Sequence, residues 1–240
     1  MDEIVFVTGA DHGLGYALAE KYLMLGFTVA AGKYLEGSSN LDGLKKEYPD
    51  RLEIIDLDVS NTESVKSAYS HFKSKFGHLD ILINNAGILG DINKTIYDEI
   101  DYDDIINTFQ VNTLGPLRMI NNFLPLILNG KRKLIVNISS EAGSIGNCFR
   151  KNWFGYTMSK CALNMESALL HNELHEKGVR ILLFHPGWMR TMMRGKIDTD
   201  APVLPEDAAD RIIFHINKFE EYKGSLPPFI NNDIGEILPW

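Results

Sequence analysis

The hydrophobic residues of the chain are grouped in short runs in which nearly every successive position is apolar. Six runs are rich in Val, Ile and Leu: IVFV at 4, TVAA at 28, LEIIDL at 52, LDILIN at 79, KLIVNI at 133 and RILLF at 180. A strand that is covered on both faces has this continuous pattern, whereas a half-exposed strand alternates. The runs therefore predict buried parallel strands, and a short last strand is expected near Phe229.

Amphipathic segments long enough for helices separate these runs. The sequence SNTE places Ser60 three residues before Glu63, which predicts a capping box and a helix running to about Gly77. Gly26 and Gly178 precede the second and sixth runs and are predicted helix ends. APVLPEDAAD predicts a loop and then a helix with acidic residues in its first turn. The alternation predicts an α/β fold, a doubly wound parallel sheet with helices on both faces.

The composition of the chain indicates how large a core it can form and which classes of binding partner to expect. The chain has 240 residues, of which 45% are hydrophobic, and we expect one domain over residues 1–240. The formal net charge is -8. Nucleic acids and anionic membranes bind basic surfaces, so we expect neither as a partner.

The two cysteines, Cys148 and Cys161, have no metal-ligand spacing, and we expect free thiols and no bound metal. The first ten residues do not have the pattern of a signal peptide. No run reaches the roughly 18 apolar residues of a membrane span. The expected location is the cytoplasm.

A glycine-rich turn follows the first predicted strand. In VTGADHGLG, Gly9, Gly13 and Gly15 lie between that strand and the helix after it. Residues without a Cβ atom allow backbone N–H groups to approach a phosphate, and the helix N-terminus adds partial positive charge. At this place in a βαβ unit, the turn predicts a Rossmann-type dinucleotide site.

Tyr156 and Lys160 are four residues apart in YTMSK and share one face of a predicted helix. A free tyrosine has a pKa near 10, and a nearby ammonium stabilises the phenolate and lowers that pKa. The pair therefore predicts a proton donor and acceptor for carbonyl or alcohol chemistry, with Tyr156 as the acid/base. A surface pair without function is the alternative.

Five motifs in order resemble those of the short-chain dehydrogenase/reductase family. They are the glycine turn, NNAG at 84, NISS at 137, YTMSK at 156 and HPGWMRT at 185, and the resemblance covers essentially the whole chain. SSEAGSIGN, MSKCALNM and DIGEILPW are most similar to small carbonyl reductases of the C-factor and sniffer type. The resemblance implies NAD(P)(H)-dependent hydride transfer between nicotinamide and a carbonyl or alcohol.

The resemblance also implies which residues bind the cofactor. The implied residues are Gly9, Asp11, His12, Gly13, Leu14, Gly15, Lys33, Asp58, Val59, Asn84, Ala86, Gly87, Tyr156, Lys160, Pro186, Gly187, Met189 and Thr191. Lys33 stands where members that prefer NAD carry Asp, and a lysine suits a 2′-phosphate. Asp11 is able to accept from a ribose hydroxyl and would repel a phosphate. NADP(H) is therefore favoured, and NAD(H) remains the alternative.

The catalytic set that the resemblance implies is Asn112, Ser140, Tyr156 and Lys160. Ser140 would polarise the substrate oxygen, with Ser139 as the competing assignment. The Ser140-to-Tyr156 segment is longer than the usual family spacing by about three residues. Asn112 would hold a water molecule near Lys160. His185 is expected to have little role in catalysis.

Apolar side chains are expected to form the walls of the substrate pocket. The favoured class of substrate is a hydrophobic aldehyde or ketone. The candidates are Phe149, Trp153, Phe154, Trp188 and Met192. Arg150 is interpreted as an exposed loop residue rather than an anion-binding one. Relatives form homodimers or homotetramers, and the predicted helix from about Tyr156 to Lys177 is a candidate interface. Burial of its leucines against the sheet is the alternative, and these are Leu163, Leu169, Leu170 and Leu174. A dinucleotide-binding sensor with little turnover is the alternative function.

Overall fold

The computed structural model describes residues 3–35, 37 and 40–240, and within them the apolar runs form one parallel sheet. The strands are β1 (Ile4–Val7), β2 (Thr28–Lys33), β3 (Leu52–Asp56), β4 (Ile81–Asn84), β5 (Leu134–Ile138), β6 (Arg180–His185) and β7 (Phe229–Asn231). Their order is β3-β2-β1-β4-β5-β6-β7, and each neighbouring pair is parallel. The predicted Rossmann-type fold is confirmed.

Helices cover both faces of this sheet. They are α1 (Gly13–Met24), α2 (Asn40–Glu47), α3 (Thr62–Lys75), α4 (Tyr102–Asn112), α5 (Leu114–Leu128), α6 (Phe154–Leu174) and α7 (Pro205–Asn217). Short 3-10 turns occupy Glu141–Gly143, His175–Lys177 and Phe219–Glu221. In the described part of the chain, no helix combines the length and the apolar character that crossing a bilayer requires.

Strand β1 shows why the runs are continuously apolar. Val5 and Val7 belong to the core between the sheet and helices α1, α2 and α7. Ile4 and Phe6 belong to the opposite core, with α3 and α5. There the Phe6 ring centroid lies 5.7 Å from that of Phe72 and 5.1 Å from that of Phe123. Because alternate side chains enter two different cores, neither face of β1 needs polar residues.

The predicted capping box at Ser60 is wrong by one residue. Asn61 caps α3, since its side-chain oxygen accepts from the N–H groups of Glu63 at 2.9 Å and Ser64 at 3.1 Å. The Ser60 hydroxyl instead donates to Asp58 Oδ1 at 2.6 Å. Both serine and asparagine favour this position, so sequence spacing alone does not decide between them.

The other helix ends follow the glycine and acidic signals more closely. Gly26 and Gly178 have φ of 91° and 82°, the left-handed conformation that ends a helix. Helix α7 carries Glu206 and Asp207 in its first turn. Helix α3 ends at Lys75 rather than at Gly77.

The strand order reverses beside β1, where β4 lies on one side and β2 on the other. Open α/β sheets bind ligands at the carboxyl ends of the strands at such a switch point. The glycine turn follows β1 and the NNAG segment follows β4, so both lie at this crevice.

Candidate active site

The glycine turn packs against the NNAG segment with no room for side chains. Gly9 has φ of 61° and Gly13 of 57°, conformations that favour glycine. A Cβ atom on Gly9 would lie 2.9 Å from Ala86 Cα. A Cβ atom on Gly15 would collide with the Gly9 carbonyl oxygen and lie 2.5 Å from Asn85 Nδ2. Glycine is required at these positions because two backbone segments meet there.

Helix α1 begins directly at this turn with Gly13, Leu14 and Gly15. Its N-cap residue, His12, is extended and exposed and makes no side-chain cap hydrogen bond, and the first turn holds no acidic residue. A Cβ atom on Gly13 would lie 3.3 Å from Thr191 Cγ2, so Thr191 lies beside the helix start. The uncapped N–H groups and the helix dipole suit a pyrophosphate.

The buried Asp11 carboxylate is occupied by backbone N–H groups. It accepts from Tyr34 at 3.0 Å and from Leu35 at 3.1 Å, and so ties the glycine turn to the segment after β2. Lys33 ends β2 and is half-buried. Asp11 therefore organises the loop next to Lys33, a role that the sequence did not indicate.

Asp58 and Val59 follow β3, at the same edge of the sheet. Asp58 Oδ1 accepts from the Ser60 N–H at 2.9 Å. Val59 is buried, and its Cγ2 atom would lie 3.0 Å from a Cβ atom on Gly115 of α5. Both residues are thus held in fixed positions near the carboxyl end of β3.

Thr8 anchors the NNAG segment to β1. Its hydroxyl oxygen accepts from the N–H groups of Asn85 and Ala86, each at 3.0 Å. Asn85 Nδ2 donates to the carbonyl oxygens of Thr8 at 2.9 Å and Gly9 at 3.0 Å. The Asn84 side chain is buried and donates to Asn137 Oδ1 at 2.8 Å. Thr8 was missed in the sequence, although it directly precedes the glycine turn.

Asn112 joins three elements beside Lys160. Its Oδ1 accepts from the Ile88 N–H at 2.9 Å, and its Nδ2 donates to the Ile88 carbonyl at 2.8 Å and to Ser159 Oγ at 3.1 Å. A Cβ atom on Gly87 would lie 3.3 Å from Asn112 Oδ1 and 3.6 Å from Lys160 Nζ. The end of α4, the segment after β4 and helix α6 therefore meet at the lysine.

The two serines after β5 have different environments. Ser139 Oγ donates to Asn164 Oδ1 at 2.6 Å, and Asn164 Nδ2 donates to the Gly143 carbonyl at 3.2 Å. Ser140 Oγ accepts from the Ala142 N–H at 3.2 Å. The Ser140 side chain also lowers the pKa of the Tyr156 phenol, which shows that the two side chains are close. Of the two serines, Ser140 is the one beside Tyr156.

Tyr156 and Lys160 share a face of α6, as their spacing predicts. Both are buried, with 8% and 3% of their surfaces exposed, and Lys160 Nζ lies 5.7 Å from the Tyr156 ring centroid. Burial raises the pKa of Tyr156, and this effect outweighs the lowering effect of Ser140. The structure thus shifts the phenol pKa in the direction opposite to the one expected from the spacing.

The Lys160 ammonium is held by a backbone carbonyl group. Lys160 Nζ donates to the Ile138 carbonyl oxygen at 2.8 Å. Burial lowers the pKa of Lys160 to about 8, because a desolvated ammonium is disfavoured. The lysine therefore carries its charge at neutral pH and loses it under mildly alkaline conditions.

The HPGWMRT segment begins at the last residue of β6. Gly187 has φ of 95°, and a Cβ atom there would lie 2.5 Å from Asp233 Oδ1, so glycine is required. Pro186 is buried, and Met189 forms a parallel bridge with Val203. Burial lowers the pKa of His185, which favours a neutral imidazole at pH 7.

Several of the apolar side chains expected to line the substrate site are exposed. Phe149 is 76% exposed, and Trp188 and Met192 are 49% and 46% exposed. Trp153 and Phe154 are half-buried at the start of α6. The segment after β6 approaches the start of α6, since the Arg194 guanidinium carbon lies 6.0 Å from the Trp153 ring centroid.

Two arginines near these apolar residues are paired with carboxylates. Arg150 makes two hydrogen bonds to Glu141, at 2.8 Å and 2.5 Å, and only 14% of its side chain is exposed. Arg194 lies 3.5 Å from Asp198, which also accepts from Trp188 Nε1 at 2.9 Å. The interpretation of Arg150 as an exposed loop residue is wrong, because pairing and stacking bury it.

The fold and site together are those of an oxidoreductase that uses a nicotinamide dinucleotide. Residues 3–202 match the model of the family described as short chain dehydrogenase, and the chain belongs to this family. The 17-beta-hydroxysteroid dehydrogenase type 6 of Homo sapiens is 34% identical over 194 residues, which cover 80% of this chain and 58% of that protein.

Two solved structures share the entire fold. The NADPH-bound carbonyl reductase from chicken fatty liver is 28% identical, with a TM-score of 0.87, covering 100% of this chain and 99% of that one. The carbonyl reductase Sniffer of D. melanogaster is 27% identical, with a TM-score of 0.89, and each chain is covered completely. The family and the resemblance to carbonyl reductases that the sequence predicts are confirmed.

Proposed function

We propose that this protein is an NADP(H)-preferring carbonyl reductase in which Tyr156 gives the proton and Ser140 holds the substrate oxygen. The observation that carries the proposal is that Ser140 lies close enough to the buried Tyr156 phenol to lower its pKa, with Lys160 buried on the same helix face. Ser140 and Tyr156 lie at the edge of the sheet where the glycine turn opens α1. Such an arrangement presents two donors to one carbonyl oxygen.

Tyr156 is the proposed proton donor in carbonyl reduction. Burial keeps the phenol protonated at neutral pH, and the protonated phenol is the form that donates to a carbonyl. The Ser140 hydroxyl donates to the same carbonyl oxygen of the substrate and limits its movement. Transfer of the phenol proton leaves a phenolate, which the Lys160 ammonium stabilises through its charge.

Asn112 is proposed to keep Lys160 supplied with protons. It is fixed between Ile88 and Ser159, next to the lysine, and its predicted role is to hold a water on a path to solvent. The charge of Lys160 is present below about pH 8, so the stabilisation of the phenolate is available at neutral pH.

The dinucleotide, when bound, supplies the hydride. We propose that Gly9, Gly13, Leu14 and Gly15 hold its pyrophosphate at the uncapped start of α1, with Thr191 beside them. The remaining proposed contacts are Asp11, His12, Lys33, Asp58, Val59, Asn84, Ala86, Gly87, Tyr156, Lys160, Pro186, Gly187 and Met189.

Lys33 supports the preference for NADP(H). Its ammonium is without an ion-pair partner among the described residues, whereas backbone N–H groups occupy the Asp11 carboxylate. A lysine in this position attracts a 2′-phosphate. We expect NADPH to bind more tightly than NADH, and Lys33→Ala to reduce that difference by about tenfold. Binding of NADH at least about tenfold tighter than NADPH would overturn the preference.

A hydrophobic aldehyde or ketone is the proposed substrate class. Phe149, Trp188 and Met192 offer apolar surface, and the nearby Arg150 and Arg194 are neutralised by carboxylates. Pairing leaves these guanidinium groups poorly suited to a substrate carboxylate. The names of the relatives, a hydroxysteroid dehydrogenase and two carbonyl reductases, agree with this class.

The test is oxidation of NADPH over a panel of neutral and anionic carbonyls, with Tyr156→Phe as the matched control. We expect turnover of apolar carbonyls by the wild-type protein and almost none by the variant. Absence of turnover across the panel, together with tight NADPH binding, would support the sensor function instead. Equal turnover by both proteins would remove Tyr156 from the mechanism.

We propose that the protein forms a homodimer or a homotetramer. We also propose that it is located in the cytoplasm. On α6, Leu163 and Leu174 are buried in the molecule, whereas Met165 and Leu169 are exposed. The exposed pair supports contact between copies of the chain, because large exposed apolar patches commonly mark interfaces. Light scattering of the purified protein and fractionation of cells test the two statements.

A further inference from the structure

A bidentate ion pair lies within the long segment that joins Ser140 to Tyr156. Glu141 directly follows Ser140, and Arg150 lies nine positions further along. Arg150 Nη1 donates to Glu141 Oε2 at 2.8 Å, and Nη2 donates to Oε1 at 2.5 Å. Two parallel hydrogen bonds of this kind fix the orientation of both groups. The pair therefore closes the loop that separates the two proposed donors.

Aromatic contacts extend this pair to Tyr156. The Arg150 guanidinium carbon lies 4.9 Å from the Trp153 ring centroid and 4.7 Å from that of Phe149. The Trp153 ring meets the Tyr156 ring at 6.0 Å and 75°, an edge-on contact. Trp153 has φ of 66°, a conformation that a bulky residue adopts only where its surroundings impose it.

The two charges act on the phenol in opposite directions. Glu141 raises the pKa of Tyr156, and Arg150 lowers it, after the larger effects of burial and of Ser140. Glu141 also raises the pKa of His185, and Arg150 also lowers it. Glu141 and Arg150 therefore both influence the groups at the carboxyl edge of the sheet, among which is Tyr156.

Other charged or titratable groups facing this region come from α6, β6 and the segment after β6. Lys160 lies below the Tyr156 ring, His185 ends β6, and Arg194 lies beyond Trp153. The lowered pKa of Lys160 arises from burial, without a contribution from Glu141 or Arg150.

We propose that the Glu141–Arg150 ion pair positions the Tyr156 phenol. The pair holds the phenol through Trp153, and its two opposite charges act on the phenol. The proposal rests on the proposed function, since it gives Tyr156 the role of proton donor. Neither Glu141 nor Arg150 needs to contact the substrate. The pair keeps the phenol beside Ser140.

The test is a direct titration of Tyr156 in protein labelled with 3-fluorotyrosine. Fluorination makes the phenol more acidic, so the titration falls at a lower pH than that of unmodified tyrosine, and ¹⁹F NMR follows each ring. Tyr156→Phe assigns the signal. We expect Glu141→Gln to move the Tyr156 titration to lower pH and Arg150→Gln to move it to higher pH. The double variant should titrate between the two single variants.

Arg132→Gln is the matched control, because Arg132 pairs with Glu3 next to the amino ends of β1 and β5, away from the site. It should leave the Tyr156 titration at the wild-type pH. Shifts of the two single variants in the same direction, or no shift in either, would overturn the proposal. A general loosening of the loop would move both in one direction.

A second measurement covers the case in which a glutamine variant fails to fold, as judged by circular dichroism. Arg150→Lys keeps the charge but loses the bidentate geometry and the flat stacking group. We expect its Tyr156 titration to stay near that of the wild type while kcat for carbonyl reduction falls about tenfold with little change in KM. An unchanged kcat would contradict the positioning role. The NMR titration does not require turnover, so an inactive wild-type protein would refute the proposed function without deciding this proposal.

Discussion

The buried ammonium of Lys160 gives carbonyl reduction a predictable dependence on pH. Lys160 has a pKa of about 8 because burial disfavours its charged form. A group with this pKa is about 90% charged at pH 7 and about 10% charged at pH 9. If the ammonium is needed to stabilise the Tyr156 phenolate, kcat/KM for reduction falls about ninefold between these two values. The sign follows from the loss of positive charge as pH rises.

The assay is the initial rate of NADPH oxidation with an apolar carbonyl from about pH 6 to about pH 10. Thermal melts at each pH confirm that the protein stays folded. Lys160→Met removes the ammonium at every pH, so its residual rate should be low and should lack the decline near pH 8. Binding of NADPH to the variant, measured separately, shows whether the cofactor site is intact.

A rate that stays level to about pH 10 would refute this account of Lys160, because the group would then be charged throughout or irrelevant. A decline of the same shape in Lys160→Met would also refute it. In that case another group with a pKa near 8 would control the rate.

Three further predictions test the site and its scaffold. Ser140→Ala should lower kcat about 100-fold with NADPH binding unchanged, whereas Ser139→Ala should mainly lower the melting temperature, because Ser139 bonds to the buried Asn164; equal kcat losses would contradict the assignment. Gly15→Ala should abolish NADPH binding by calorimetry, since its methyl group meets the Gly9 carbonyl oxygen; retained affinity would contradict the turn geometry. Glu166 is buried, and neither of its carboxylate oxygens has a hydrogen-bond partner within the described part of the chain. Burial raises its pKa to about 8, so its contribution to stability is lost as the pH rises from the ordinary pKa of a glutamate through about 8. Glu166→Gln should therefore raise the melting temperature more at alkaline than at mildly acidic pH, and an equal gain at both would contradict the unpaired burial.

The fold was predictable because each of its signals is local. Continuous apolar runs become the strands of a sheet covered on both faces, as Val5 and Phe6 in β1 show by entering separate cores. Glycine signals at Gly26 and Gly178 locate helix ends because the left-handed conformation is a property of one residue. The capping box failed at Ser60 because two adjacent residues were suitable and the choice depended on Asp58.

For the candidate site, the sequence predicts that certain residues lie close together but not the electrostatics that result. Helical spacing places Tyr156 and Lys160 on one face, yet it does not show that the Ile138 carbonyl receives the ammonium or that burial dominates the phenol pKa. Similarly, the partners of Asp11 lie more than twenty residues away, after β2. Contacts between distant segments require the fold, and the Glu141–Arg150 pair has no signal in the spacing of its residues.

The most direct test of the central claim is a single turnover of NADPH-bound protein with an apolar carbonyl, comparing the wild type with Tyr156→Phe. The claim is that the Tyr156 phenol donates the proton at a Rossmann-type dinucleotide site. We predict that the variant binds NADPH as tightly as the wild type and reduces the carbonyl about 1,000-fold more slowly. A variant that keeps its rate within about threefold of the wild type, with the cofactor bound, would contradict the account.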